Sequence, residues 1–133
     1  VRVAHEADVF CAPAVYSPTE LNYFLEPEDG LEPDAIKVFP AFQYGPKGFS
    51  GLLAPFARER HRDKIIMPTG SVSHENSYGY MEAISSRGFS PVLGMSAPLK
   101  LVEKLERPGD PQVVAESLAA FKKKLEAAGN AGH

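Results

Sequence analysis

The chain has 133 residues, of which 44% are hydrophobic and 23% charged, and a formal net charge of −3. This length allows a single domain over residues 1–133, and the charge lacks the basic excess of proteins that bind nucleic acid or anionic membranes. The only cysteine, Cys11, excludes an intrachain disulfide, and no Cys/His cluster has the spacing of a zinc site. No apolar run reaches the ~20 residues that span a bilayer and no signal peptide is visible, which favours a cytoplasmic enzyme or binding protein.

The first predicted elements are a strand and a helix. Residues 9–12 are apolar and predict a short buried strand, on which Cys11 acts as a small hydrophobic residue. Ser17, Pro18 and Glu20 predict a helix start, with Ser17 as N-cap, Pro18 in the first helical position and Glu20 completing a capping box.

The later segments continue this alternation of strand and helix. After an acidic loop over 26–34, the predicted elements are a strand over 35–39, a helix over about 46–59, a strand over 64–67, a helix over about 74–86, a strand over 91–95, a short helix over about 97–105 and a terminal helix over about 111–127. The charged segment 58–63 is expected to be a solvated turn. Four strands alternating with helices predict parallel β/α units, in which chemistry gathers at the carboxyl ends of the strands.

Lys37 lies in the middle of the most hydrophobic strand-like segment. Side chains alternate between the faces of a strand, so Ile36 and Val38 share one face while Lys37 and Phe39 share the other. If Ile36 and Val38 pack against helices, Lys37 points toward the space that the sheet encloses. Loss of water there lowers the pKa of an ammonium, and the free amine can attack a carbonyl carbon. Taken alone, the segment favours a lysine that faces water; the surrounding loops favour the first interpretation.

Four loop segments at the ends of the predicted strands carry motifs. They read Pro-Ala-Val-Tyr-Ser-Pro-Thr-Glu at 13–20, Lys-Val-Phe-Pro-Ala at 37–41, Pro-Thr-Gly-Ser-Val-Ser-His-Glu-Asn at 68–76 and Gly-Met-Ser at 94–96. In this order they resemble the 2-keto-3-deoxy-6-phosphogluconate (KDPG/KHG) aldolases. The corresponding segments of that family read Pro-Gly-Val-x-Thr-Pro-Ser-Glu, Lys-Phe-Phe-Pro-Ala, Pro-Thr-Gly-Gly-Val-Ser-x-Glu-Asn and Gly-Gly-Ser. Each fragment alone is weakly specific, but four in order are specific. The resemblance covers residues 9 to about 102.

The resemblance implies a (β/α)8 TIM barrel, of which this chain supplies about the last four β/α units, in a homo-oligomer that is a trimer in the family. It implies class I aldol chemistry without a metal or other cofactor, in which a 2-keto-3-deoxy (phospho)sugar acid is cleaved to pyruvate and an aldehyde such as glyceraldehyde 3-phosphate. Lys37 matches the lysine that forms the Schiff base. The other matching positions are Thr69, Phe39 and Pro40 for substrate binding, and Gly70, Ser71, Gly94 and Ser96 for phosphate binding.

Several residues depart from the family pattern. Ala14 replaces a glycine, and Ser71 replaces the second glycine of Thr-Gly-Gly, which strains the serine if that position needs a positive φ. Tyr44-Gly45-Pro46 replaces a Gly-Gly pair, so the loop loses the N–H that Pro46 lacks.

The glutamate acid/base and the substrate-binding arginine of the family have no counterpart here, because the resemblance covers only the last three-fifths of a family member. We expect an N-terminal part that the sequence lacks; a second chain that supplies it, or the pairing of two half-barrels, would also complete the barrel. Two other functions stay open. One is a non-catalytic module that binds a phosphate ligand or assembles on a barrel scaffold, and the other is a different phosphate-binding TIM-barrel enzyme, in which Lys37 has no role.

Overall fold

The computed structural model describes residues 1–95 and 109–130. Its centre is a four-stranded, fully parallel sheet with the strand order β1-β2-β3-β4, in which sequence neighbours are also neighbours in space. The strands are β1 (Ala14–Val15), β2 (Ile36–Val38), β3 (Ile65–Pro68) and β4 (Ser90–Pro91). Parallel neighbours require a crossover connection, and helices supply it between these strands. The predicted α/β class with four parallel strands is therefore confirmed, and these four strands form an open sheet.

Helices alternate with the strands, as the sequence predicts. They are α1 (Arg2–Glu6), α2 (Pro18–Leu25), α3 (Gly45–Leu53), α4 (Ser77–Ser85) and α5 (Pro111–Asn130), with single 3-10 turns at Ala41–Gln43, Ala54–Phe56 and Glu59–His61. The capping box of α2 is present: Ser17 accepts a hydrogen bond from Glu20 N, and the Glu20 carboxylate accepts from Ser17 N. α3 ends at Leu53, earlier than predicted, because Pro55 has no N–H to continue the helical hydrogen bonds, and the chain tightens into the 3-10 turn Ala54–Phe56.

The core lies between the helices and one face of the sheet. Ile36 and Val38 are 2% and 0% exposed, whereas Lys37 between them is half-buried and lies on the other face. The alternation that the sequence predicts for this strand is therefore correct. The buried side chains of the core include Val15, Leu21, Leu25, Ile36, Val38, Phe49, Leu53, Ile66, Tyr80, Ile84 and Phe89.

The prediction of a buried strand over residues 9–12 is wrong. Val9 and Phe10 are 55% and 63% exposed, and β1 begins only at Ala14. The backbone nevertheless runs beside β2 from Cys11 onward, because Ala35 N donates to Cys11 O and Lys37 N donates to Pro13 O. Pro13 has no N–H, which an edge position tolerates. Cys11 is therefore partly buried beside the sheet, outside the bounds of a strand.

Other boundaries shift by a few residues. The helix predicted from residue 74 begins at Ser77, because residues 74–76 form a turn. The strand predicted over 91–95 is shorter, although Gly94 pairs with Thr69 in an isolated parallel bridge. The short helix predicted over 97–105 lies outside the described residues.

Candidate functional site

Lys37 occupies the central position of β2. It pairs with Ala14 on one side and with Met67 on the other, so these three residues form a row across the face of the sheet that does not contact the core. The Lys37 Nζ lies 5.7 Å from the centroid of the Phe39 ring, at cation–π distance. Because Phe39 follows β2, the ammonium reaches toward the carboxyl end of the sheet, where the sequence predicts the chemistry.

Phe39 and Pro40 connect Lys37 with the loop after β3. A Cβ atom built on Gly70 would lie 3.3 Å from two Phe39 ring carbons and from Pro40 Cα. Gly70 also has φ +97°, a conformation that residues with side chains rarely adopt. Glycine is thus required here for two reasons, and the loop packs closely against the residues beside Lys37.

Thr69 and Gly94 form the second close contact of this loop. A Cβ atom on Gly94 would lie 2.2 Å from Thr69 Oγ1 and 3.2 Å from Pro68 O. Gly94 N donates to Pro68 O at 3.0 Å, which holds the two segments together. The structure therefore places Thr69 and Gly94 in contact, as expected of neighbouring loops at the carboxyl ends of β3 and β4.

Ser71 adopts the strained conformation that the sequence suggests. Its φ is +56° and the residue is exposed. Asn76 fixes the loop around it, because Asn76 Nδ2 donates to Ser71 O at 2.9 Å and Ser73 N donates to Asn76 Oδ1 at 2.8 Å. Two side-chain hydrogen bonds thus stabilise a left-handed backbone conformation that a glycine would adopt without cost.

The predicted site residues fall into three groups. Lys37, Phe39, Pro40 and Gly70 form one chain of contacts, and Thr69 with Gly94 forms a second pair one residue along the loop. Ser71 lies at the exposed edge of the same loop. Ser96 lies outside the described residues.

Three residues that sequence reasoning did not assign to the site also lie at this end of the sheet. The Tyr16 hydroxyl donates to Gln43 Oε1, and the Tyr44 hydroxyl donates to the carbonyl oxygen of Tyr16. We call Tyr16, Gln43 and Tyr44 the rim. Tyr16 lies in the motif at 13–20 and Tyr44 belongs to the segment that departs from a Gly-Gly pair, but neither pattern gives these side chains a role.

His61 is a further residue that the sequence did not identify. It is 1% exposed, so the expectation of a solvated turn over 58–63 is wrong at this position. Its Nδ1 lies 2.8 Å from Phe56 O and its Nε2 lies 2.7 Å from a Glu26 carboxylate oxygen, which also accepts from Arg60. His61 precedes β3, so this cluster lies at the amino ends of the strands, opposite Lys37. No local pattern indicates it, since Glu26 is 35 residues away along the chain.

Within residues 1–95 and 109–130, no group of three or more His, Cys, Asp or Glu side chains is arranged to hold a metal ion. In the same ranges, none of the helices combines the length and apolar character needed to cross a bilayer.

Comparison with family profiles, with curated proteins and with solved structures gave no match.

Proposed function

We propose that this protein is a class I aldolase that cleaves a 2-keto-3-deoxy (phospho)sugar acid to pyruvate and an aldehyde, with Lys37 forming the Schiff base. The observation that carries the proposal is the position of the Lys37 ammonium. It projects from the centre of a parallel sheet toward the carboxyl ends of the strands, 5.7 Å from the Phe39 ring, beside a loop packed through Gly70. The motif resemblance independently assigns the Schiff base to the same lysine.

The chemistry of the step requires an amine and an electron sink. The neutral Lys37 amine adds to the C2 carbonyl of the keto acid, and loss of water gives an imine, whose protonated form accepts the electron pair of the breaking C3–C4 bond. The C4 hydroxyl loses its proton as the aldehyde leaves, and an enamine remains on Lys37. Protonation of the enamine at C3, followed by addition of water, releases pyruvate and restores the amine.

The remaining parts of the proposal concern the surroundings of Lys37. A TIM barrel whose last four β/α units correspond to this chain would enclose the Lys37 face, and a homotrimer and a cytoplasmic location belong to the same proposal. Thr69 would contact the substrate, and the backbone N–H groups of Gly70 and Ser71 would hold a phosphate beside Gly94, whose own N–H bonds to Pro68 O. The acid/base carboxylate has no assigned residue in this chain.

Reductive trapping tests the proposal. The protein is incubated with pyruvate and sodium borohydride, and the modified residue is mapped by mass spectrometry. We expect one adduct, on Lys37, which Lys37→Arg abolishes because a guanidinium does not form an imine. Lys64→Arg is the matched control, since Lys64 precedes β3 at the opposite end of the sheet and pairs with Glu32.

Two results would contradict the aldolase. One is the absence of an adduct, and the other is modification spread evenly over exposed lysines such as Lys122 and Lys123. Binding of phosphate esters without any adduct would favour the non-catalytic phosphate-binding module instead.

A further inference from the structure

The rim borders the carboxyl ends of β1 and β2, where the Lys37 ammonium meets Phe39. Tyr16 directly follows β1, and Val15 before it pairs with Val38 of β2. Gln43 lies in the turn between β2 and α3. The rim thus lies at the same edge of the sheet as the proposed Schiff base.

The hydrogen bond from Tyr16 determines the orientation of the Gln43 amide. A tyrosine hydroxyl donates to an oxygen, so Gln43 Oε1 is the atom engaged by Tyr16. The amide nitrogen, with its two N–H groups, points away from that bond. Because Gln43 is exposed at the carboxyl end of the sheet, these donors are accessible and can bond to an oxygen atom of a ligand.

Tyr44 anchors the rim to the core. Its hydroxyl donates to Tyr16 O, its ring centroid lies 5.6 Å from that of Tyr16, and it forms a T-shaped pair with the buried Phe49 at 6.5 Å between centroids. Burial raises the pKa of Tyr44, so the hydroxyl keeps its proton at neutral pH and remains a donor. The buried Tyr80 further fixes the turn, since its hydroxyl donates to Ala41 O at 3.0 Å.

We propose that Gln43 is a specificity residue for the hydroxylated tail of the 2-keto acid, and that Tyr16 is the positioning residue that orients its amide. This inference rests on the proposed function. The Gln43 N–H groups would donate to a hydroxyl on the carbons beyond C3, and the Tyr16 ring would lie against the carbon chain. The preferred substrates are then polyhydroxylated 2-keto acids rather than unsubstituted ones of equal length.

Imine trapping measures this preference without requiring turnover, because the reduced adduct of the intact acid differs in mass from that of any pyruvate released by cleavage. Two six-carbon probes are compared, 2-keto-3-deoxygluconate, which carries hydroxyls on C4 to C6, and 2-oxohexanoate, which carries none. For each probe the half-saturating concentration for borohydride trapping on Lys37 is determined. We expect the hydroxylated acid to half-saturate at a concentration about fivefold lower, the effect of one hydrogen bond between uncharged groups.

Variants of the rim distinguish specificity from a structural effect. Gln43→Ala and Gln43→Glu both remove the donor and should bring the ratio of the two half-saturating concentrations close to one. Tyr16→Phe keeps the ring and releases the amide, so it should reduce the ratio partially. Gln112→Ala on α5 makes the same deletion of an exposed amide and should leave the ratio unchanged. Trapping of pyruvate, which has no tail, should be equal in all these proteins.

The outcomes separate the two proposals. An equal ratio in the parent protein and in Gln43→Ala, with pyruvate still trapped on Lys37, overturns the specificity role alone. A fall in pyruvate trapping that parallels the fall for both six-carbon acids would show a structural effect of Gln43 and overturn it as well. The absence of any pyruvate adduct on Lys37 in the parent protein overturns the aldolase itself and, with it, the role of the rim.

Discussion

Phe39 is the residue through which the Lys37 side of the candidate site meets the loop after β3. Its ring lies 5.7 Å from the Lys37 ammonium and within van der Waals reach of the position that a Gly70 side chain would take. Half of Phe39 is nevertheless exposed. An exposed phenylalanine at the end of a central strand contributes little to the core, so its contacts with Lys37 and Gly70 explain its position better than burial does.

Gly94 gives a prediction at the scale of single residues. A methyl group at this position would overlap Thr69 Oγ1 and press on the carbonyl oxygen of Pro68. Since the bridge between Gly94 and Thr69 joins two backbones, relief requires a shift of the loop. We expect Gly94→Ala to lower the free energy of unfolding by about 1–3 kcal/mol, the usual cost of overpacking, as measured by urea denaturation.

Gly51→Ala is the matched control for this substitution. Gly51 lies within α3, and a Cβ atom there would meet no heavy atom within 4 Å. Alanine is favoured over glycine inside a helix, so this variant should be more stable than the parent by up to about 1 kcal/mol. If both variants shifted the free energy of unfolding in the same direction, the close approach of Gly94 to Thr69 would not explain the effect of Gly94→Ala.

At the scale of elements, local chemistry made the start of α2 predictable, whereas the bounds of the strands depended on long-range contacts. The capping box of α2 depends on residues three apart, Ser17 and Glu20, so the sequence contains all of it. β1 depends on hydrogen bonds to residues more than 20 positions away, and hydrophobicity placed it at residues 9–12, before its actual start at Ala14. Whether Val9 and Phe10 are buried depends on which other segments pack against them, and a local sequence pattern does not contain that information.

The loop between β3 and α4 gives a prediction at this scale. Asn76 holds it through one bond donated to Ser71 O and one accepted from Ser73 N. Asn76→Ala removes both, and we expect faster amide hydrogen exchange over residues 70–76 with a loss of about 1–2 kcal/mol of stability. Asn76→Asp keeps the acceptor for Ser73 and loses the donor, so its exchange should be intermediate.

Ser86→Ala serves as a control at the other end of α4, where the hydroxyl donates only weakly, at 3.4 Å to Ala83 O. It should leave exchange over residues 70–76 unchanged. Equal exchange in Asn76→Ala and in the parent would mean that the loop keeps its conformation without this side chain.

At the scale of the whole molecule, the order of the motifs predicts which motif residues share one edge of the sheet. The hydrogen bonds of the rim are seen only in the folded structure. Lys37, Thr69 and Gly70 belong to segments whose spacing and order resemble one family, so their shared edge of a parallel sheet followed from topology. The bond from Tyr16 to Gln43 spans 27 residues and joins the variable position of the motif at 13–20 to a residue outside the motifs. Side-chain pairs of this kind become visible only when the strands are in register.

The sheet itself is asymmetric. Helices bury the face of Ile36 and Val38, whereas in the row on the other face Ala14 is exposed and Lys37 and Met67 are half-buried. Purely parallel sheets usually have both faces covered. In the proposed barrel, the row containing Lys37 would face the enclosed interior. That position would explain why its face of the sheet is less buried than the face of Ile36 and Val38.

Acid stability depends on carboxylates that connect segments of the chain. The hydrogen bond from Arg60 holds the pKa of Glu26 below its usual range, and the bond from the backbone N–H of Cys11 does the same for Asp34. Glu26 follows α2 and Asp34 lies two residues before β2, so both bonds anchor the connection between these elements. Protonation of either carboxylate removes an acceptor that the folded chain uses.

Glu20 is a third carboxylate with a lowered pKa, and it shows in which direction stability depends on pH. Hydrogen bonds from the backbone N–H groups of Tyr16 and Ser17 lower its pKa. A folded-state pKa below the unfolded one means that the unfolded chain binds more protons in acid. The stabilisation is therefore complete above the ordinary carboxyl pKa of 4.5 and is lost as the pH falls from there through the lowered folded-state value.

We predict that Glu20→Gln lowers stability at pH 7 but has a smaller effect at pH 3, because the stabilisation that the carboxylate gives the parent protein diminishes as the pH falls below 4.5. Urea denaturation at both pH values measures the difference, and Glu28→Gln makes the same charge change on an exposed loop residue. A constant effect of Glu20→Gln across this range would show that the charge of Glu20 contributes nothing to the cap. The start of α2 follows Tyr16, so such a result would also weaken the case that the capping box fixes the backbone from which the rim projects.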